Sequence, residues 1–157
     1  MIQNIKIIFN EDQKDREEPD FWNKTDYYSQ RDLRRRQKVA ELLLSNALHT
    51  GEDFYQGAVI FHHSDNLDDL EKAKDLAQKS SNLNFNKAKW LYAAISDRIS
   101  FVNGQPQKYG TQFFKKNAQS RWKLHPVDLT VTDEERAEYN VPNLNETKKQ
   151  INKLNQN

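Results

Sequence analysis

Two histidines stand side by side at the end of an aromatic, apolar stretch, DFYQGAVIFHHSD (Asp53–Asp65). An imidazole titrates near neutrality, so a histidine held among packed side chains can serve as a general acid or base. Neighbours on a helix diverge by about 100°, so His62 and His63 are poorly placed to share a metal ion. HHSD also lacks the ligand spacing of H-E-x-x-H, and no metal is expected. By helical phase His62 follows Tyr55 and Val59 at i+7 and i+3, which turns it to the packed side. The bland reading is a core histidine with its ring satisfied; the chemical one is a proton carrier.

A second chemical candidate is the pair Asp97-Arg98 in AKWLYAAISDRISFV. Arg98 is in phase with Leu91, Ile95 and Val102 and so is expected to face inward. A buried guanidinium without a partner costs several kcal/mol. Asp97 points about 100° away, which leaves Asp65, Asp53 or loop carbonyls as partners. Arg98 is then either a strut for the following turn or a five-donor site for an anion. That turn is GQPQKYGTQFF (Gly104–Phe114). Gly104 suits a helix end with positive φ, and Pro106 prevents continuation. Gly110 permits an unusual backbone angle or a close approach. The carboxamides of Gln107 and Gln112, beside Tyr109 and Thr111, can satisfy buried backbone groups or bind a polar ligand. Both a latch and a site are open readings.

The elements that must position these residues are mainly helical. Residues 2–9 alternate weakly and are β-prone, so residues 1–25 read as an N-terminal strand or arm, with a charged loop over residues 10–20. A helix is expected from Asp26 to Asn46. Its apolar stripe is Leu33, Val39, Leu42, Leu43 and Leu44, and RDLRRRQK forms its solvated face. Thr50 caps the helix that carries the histidines. The next helix opens at Asp65 or Asn66 and repeats Leu70, Ala73, Leu76, Ala77 and Ser80 on one face. NLNF breaks it, and the Asp97 helix follows. TQFFKKN and RWKLHPV suggest a small β-hairpin near residues 111–127. Thr132 caps a short helix that Pro142 ends, and residues 146–157 form a polar helix or tail. The expected fold is thus mainly α: antiparallel helical hairpins with repeat-like packing plus that β-hairpin. Residues 26–145 read as one helical domain.

Composition narrows the functional classes. The chain has 157 residues, of which 36% are hydrophobic, 30% charged and 11% aromatic, with a net charge of +1. That charge gives no broad field for nucleic acid or a membrane surface. No apolar run, Ile7 to Phe9 included, is long enough for a bilayer span, and the first residues lack the pattern of a secretory signal. With no cysteine there are no disulfides, thiolate nucleophiles or cysteine–zinc sites; a reducing cytoplasm is compatible. No nucleophile elbow, phosphate-binding loop or G-x-G-x-x-G motif occurs.

Asp69 to Ala94 resembles the helical hairpin of tetratricopeptide and Sel1-like proteins, with small Ala73, Ala77, Ala88, Ala93 and Ala94 and larger Trp90 and Leu91. More of the chain is similar to a bacterial domain-of-unknown-function family. LHTGEDFYQGAVIFHHSD (Leu48–Asp65), AKWLYAAISDR (Ala88–Arg98) and GQPQKYGTQF (Gly104–Phe113) match its TGEDYYxAAxxFQHG, ARWLAAAxLDR and GxPQxYGTQ motifs. The resemblance implies motif positions at Tyr55, Asp97, Arg98, Gln107, Tyr109, Gly110, Thr111 and Gln112. It places His62 where a Gln is usual and His63 on the motif histidine, whereas helical phase favours His62. The favoured reading is a protein-interaction module; the partner is a protein or a small anion, no cofactor is expected, and a homo-oligomer stays open. The alternative is a small metal-independent enzyme. There His63 and Asp97 would do acid-base work, and Tyr55, Arg98, Gln107, Tyr109, Thr111 and Gln112 would bind substrate.

Overall fold

The computed structural model describes residues 4–156, the side chain of Trp22 excepted. The fold is mainly α, with seven α-helices and one two-stranded antiparallel sheet among the described residues. The chain divides into two compact units, one reaching to Ala88 and one starting at Lys89.

The first unit opens with α1 (Ile5–Glu17), where the sequence suggests a strand and then a charged loop. Residues 2 and 3 of that expected strand lie outside the described residues. Ile5, Ile8, Asp12 and Asp15 recur at helical spacing and are all buried. Half of this inner face is carboxylate, and a hydropathy pattern assigns carboxylates to water. The helix is therefore invisible until its partner is known. Asn4 caps it, its side chain accepting from Lys6 N at 2.8 Å. Glu18 is extended, as a residue before a proline prefers, and the helix stops there.

After a single 3₁₀ turn (Phe21–Asn23), α2 (Thr25–Leu44) runs for 20 residues. Its buried stripe is Tyr28, Asp32, Arg35, Val39 and Leu42. Two of the leucines expected inside, Leu33 and Leu44, are exposed, the latter at 86%. The RDLRRRQK run is also not a plain solvated face. Arg35 is buried and donates to Asp32 at 2.9 Å and to the carbonyl of Glu11 at 3.2 Å, and it pairs with Asp15. Arg31 clasps both Asp15 oxygens, at 2.6 and 3.0 Å. Arg16 bridges Asp12, at 3.1 and 3.2 Å, to Asp32, at 2.9 Å. Arg36 reaches Asp69 at 3.1 Å. Alternating charge thus joins α1 to α2 where apolar side chains would ordinarily do so.

Two further helices, α3 (Gly51–His62) and α4 (Leu67–Asn82), form an antiparallel hairpin. Thr50 and Asp53 make a reciprocal capping box at the start of α3, each satisfying one orphan N–H. The Ser80 hydroxyl donates to the Gly51 carbonyl at 2.5 Å and ties the last turn of α4 to the first of α3. Gly57, Ala58, Ala73 and Ala77 are buried in this hairpin, and small residues there let helices approach closely. The α4 stripe is the expected one, Leu70, Ala73, Leu76, Ala77 and Ser80. The α3 stripe is shifted by one position. Phe54, Ala58 and Phe61 are buried, while Tyr55, Val59 and His62 are half-buried. Tyr55 packs between the rings of Phe9 and Phe85, 6.4 and 5.1 Å away.

The second unit holds most of α5 (Lys87–Val102), the strands β1 (Phe113–Phe114) and β2 (Lys123–Leu124), and then α6 (Asp133–Glu138) and α7 (Leu144–Leu154). The strands pair antiparallel, Phe113 with Leu124 and Phe114 with Lys123. Helix α5 ends in a Schellman turn. Gly104 takes φ +67°, its N–H donates to Phe101 O at 3.0 Å, and Gln105 N donates to Ser100 O at 2.8 Å. Tyr139 stacks on Tyr92 at 5.3 Å and meets Tyr109 at 5.0 Å, beside buried Ala93 and Val141. The C-terminal helix is held as well. Asn155 accepts from Trp122 N at 2.7 Å and donates to its carbonyl at 3.0 Å, which ties α7 to β2.

The charged interface of the first unit has a pH signature. Burial pushes the Asp12 carboxyl up, but hydrogen bonds and charges from His63 and Arg16 outweigh it and hold it down at about 2. A carboxyl depressed by folding stabilises the native state above its unfolded pKa and loses that effect as pH falls through the folded one. Measured against the ordinary 3.8, the gap is worth about 2 kcal/mol. Urea unfolding should therefore show stability falling by about this much between roughly pH 4 and pH 2 through Asp12. Asp12→Asn should be less stable at neutral pH and should flatten that part of the acid limb. An unchanged acid limb in Asp12→Asn would count against the assignment.

Candidate functional site

The turn after α5 is built around Asp97, which has no exposed surface. Its Oδ1 accepts from the N–H groups of Lys108 and Tyr109, both at 2.8 Å. Its Oδ2 accepts from Thr111 N at 2.9 Å and from the Thr111 hydroxyl at 2.8 Å. Four donors thus converge on one acceptor-only carboxylate. Gln107, 1% exposed, works alongside it. Its Nε2 donates to the carbonyls of Gln112 and His125 at 2.9 and 3.0 Å, and its Oε1 accepts from Gln112 N at 2.8 Å. Gln112 in turn donates to Ala94 O at 3.3 Å and to Thr111 Oγ1 at 3.2 Å. Gly110 is required twice. Its φ is +86°, and a Cβ there would lie 3.1 Å from Leu144. Asp97, Gln107, Tyr109, Thr111 and Gln112 are thus brought together, with the polar groups of this turn bonded within the chain.

The buried arginine is elsewhere than expected. Arg98 is half-buried, and Asp97 takes the inward position. An error of one residue rotates a side chain by about 100°, enough to exchange the two. In this unit the buried guanidinium is Arg136, 1% exposed. It donates to the carbonyls of Val131 at 2.6 Å and Lys108 at 3.3 Å and to Asp133 at 3.2 Å. Sequence reasoning missed it because DEERAE reads as a uniformly charged face.

His63 belongs to the first unit. Its Nδ1 lies 3.3 Å from Asp12 Oδ1. An ionised Asp12 can only accept, so the Nδ1–H of His63 donates. The Asp12–His63 pair is the arrangement that orients an imidazole for proton transfer. Asp12 was not singled out from the sequence, because the pair spans 51 positions. His62 is also half-buried.

The hairpin of the second unit carries a different kind of surface. Phe101, Phe113 and Phe114 are 49%, 40% and 39% exposed. The His125 ring lies between Phe101, at 4.2 Å, and Phe114, at 4.4 Å. Trp122 meets the edge of Phe113 at 5.7 Å, and Lys115 lies over its ring at 5.0 Å. Burial pushes the His125 imidazole below its ordinary value, which favours the neutral ring. The sequence signal was the interleaving of rings and cations in FFKKNAQSRWKLH, read there only as strand-forming.

Among the described residues, no cluster of three or more His, Cys, Asp or Glu could hold a metal ion. No helix among them is long and apolar enough to cross a membrane. Comparison with known proteins finds no matching family model, no matching curated protein and no matching solved structure.

The Asp97 turn gives a direct test. Asp97→Asn replaces one acceptor oxygen with an NH₂ that faces N–H donors. It should cost about 2–4 kcal/mol in thermal or urea unfolding. Amide hydrogen exchange should quicken at Lys108, Tyr109 and Thr111. Exchange unchanged at these three amides would show that the carboxylate does not hold the turn.

Proposed function

We propose that the chain is a binding module that docks a partner protein on the aromatic hairpin face of its second unit. The observation that carries this reading is the exposure of Phe101 and Phe114, whose rings flank His125, with Phe113 exposed beside Trp122. Rings left together in water mark interaction surfaces more often than isolated apolar residues do. The latch at Asp97 supports the same reading, because it fixes the backbone from which the hairpin projects. The antiparallel α3–α4 hairpin, with its small-residue seam, fits the helical-hairpin, tetratricopeptide- and Sel1-like character of an interaction protein. The resemblance to the bacterial family and the lack of cysteine fit a bacterial cytoplasm.

The test is site-specific photocrosslinking in a bacterial lysate, with benzoylphenylalanine in place of Phe114. A discrete adduct is expected, and it should vanish when Phe101→Ser is added. The same group at Leu44, an exposed apolar residue of the first unit, should give none. Equal labelling from both positions would defeat the reading.

The Asp12–His63 pair favours a second reading, a small metal-independent enzyme with His63 as its acid-base group. Native mass spectrometry distinguishes it. A small anion that leaves on denaturation and is absent from His63→Ala would support catalysis; the same clean apo mass for both proteins would remove it.

A further inference from the structure

The hairpin face differs from a merely apolar patch in its charge. Lys115, Lys116, Arg121 and Lys123 are all exposed, and residues 111–127 contain no Asp or Glu. Lys123 stands directly across the sheet from Phe114. A cleft of about 270 Å³ opens between Phe101, Gly104, Gln105, Pro106, His125 and Pro126, and its His125 wall stacks on Phe114, the cross-strand partner of Lys123. Its walls are largely ring and pyrrolidine carbon. An apolar centre with a charged rim is the usual anatomy of a protein interface. Here the charged side chains of residues 111–127 are all cationic.

We infer that this face receives an acidic peptide segment bearing one bulky apolar side chain. The apolar side chain enters the cleft walled by Phe101, Pro106, His125 and Pro126, and flanking carboxylates meet Lys123 and the other exposed cations of the hairpin. The inference rests on the docking reading above and adds the chemistry of the partner. Charge of one sign on the rim steers a segment of the other sign and disfavours cationic competitors. Single-stranded nucleic acid also pairs cations with aromatic rings, but it needs ring faces open for stacking. The His125 ring is flanked by Phe101 and Phe114, and Trp122 is occupied by Phe113 and Lys115. The net charge of +1 gives no wide positive field along which a phosphate backbone could run.

Fluorescence anisotropy on the full chain tests this with three probes: an Asp/Glu/Ser peptide of about twelve residues with one central Phe, its Asn/Gln counterpart, and an oligothymidylate of equal length. The acidic peptide should bind saturably and weaken in high salt. Its affinity should fall about tenfold or more in Lys116→Glu/Lys123→Glu, in Phe101→Ser, and when its own Phe becomes Ala. These positions are exposed, so unchanged melting curves will show that the variants fold. Equal binding of the Asn/Gln peptide, or tighter binding of the oligothymidylate, would overturn the acidic partner while the docking face stands. If no probe binds but the Phe114 crosslink persists, the partner chemistry is wrong. If the crosslink is also absent, the docking reading falls with it.

Discussion

A carboxylate taken out of water must be surrounded by donors, and each unit of this protein is arranged around that demand. In the first, Asp12, Asp15 and Asp32 are met by three arginines and an imidazole. In the second, Asp97 is met by three backbone amides and a hydroxyl. An unpaired buried charge is far costlier than a pair is beneficial. The structural value of these groups is therefore mainly conditional: once one partner is inside, the others have only one acceptable place.

The two solutions have different consequences. In the first unit the donors are long side chains from α1, α2 and the end of α3, so the ion pairs set which helical faces meet. The α3–α4 hairpin can then rely on close packing of glycine and alanine. In the second unit three of the four donors are backbone amides, so Asp97 shapes a turn instead of a helix interface. Gln107 extends the effect by satisfying the backbone of residue 112 and the carbonyl of residue 125. A segment with almost no regular structure is thereby given a defined course.

The polar groups of the YGTQ turn, which the sequence left open as a latch or a site, are bonded within the fold, whereas the neighbouring Phe113 and Phe114 are exposed. A latch that satisfies its own polar groups needs few apolar residues, and this leaves rings free for a surface.

Regular helices with apolar periodicity could be read from the sequence alone. The α4 stripe from Leu70 to Ser80, the Thr50 cap, the Gly104 stop and the short antiparallel strands all follow from local rules of spacing, capping and φ. Tertiary structure decided the rest. It alone showed that α1 is a helix, because its inner face carries Asp12 and Asp15, and a carboxylate reads as solvent-facing until an arginine twenty residues away is known to meet it. It alone chose Asp97 over Arg98 as the inward residue, since adjacent positions differ by a rotation that periodicity resolves poorly when both are charged. It also paired His63 with Asp12 and turned Phe113 and Phe114 toward water. Local sequence sets the period of each element; which face is buried depends on what packs against it, and for charged residues that is set by partners remote in the chain.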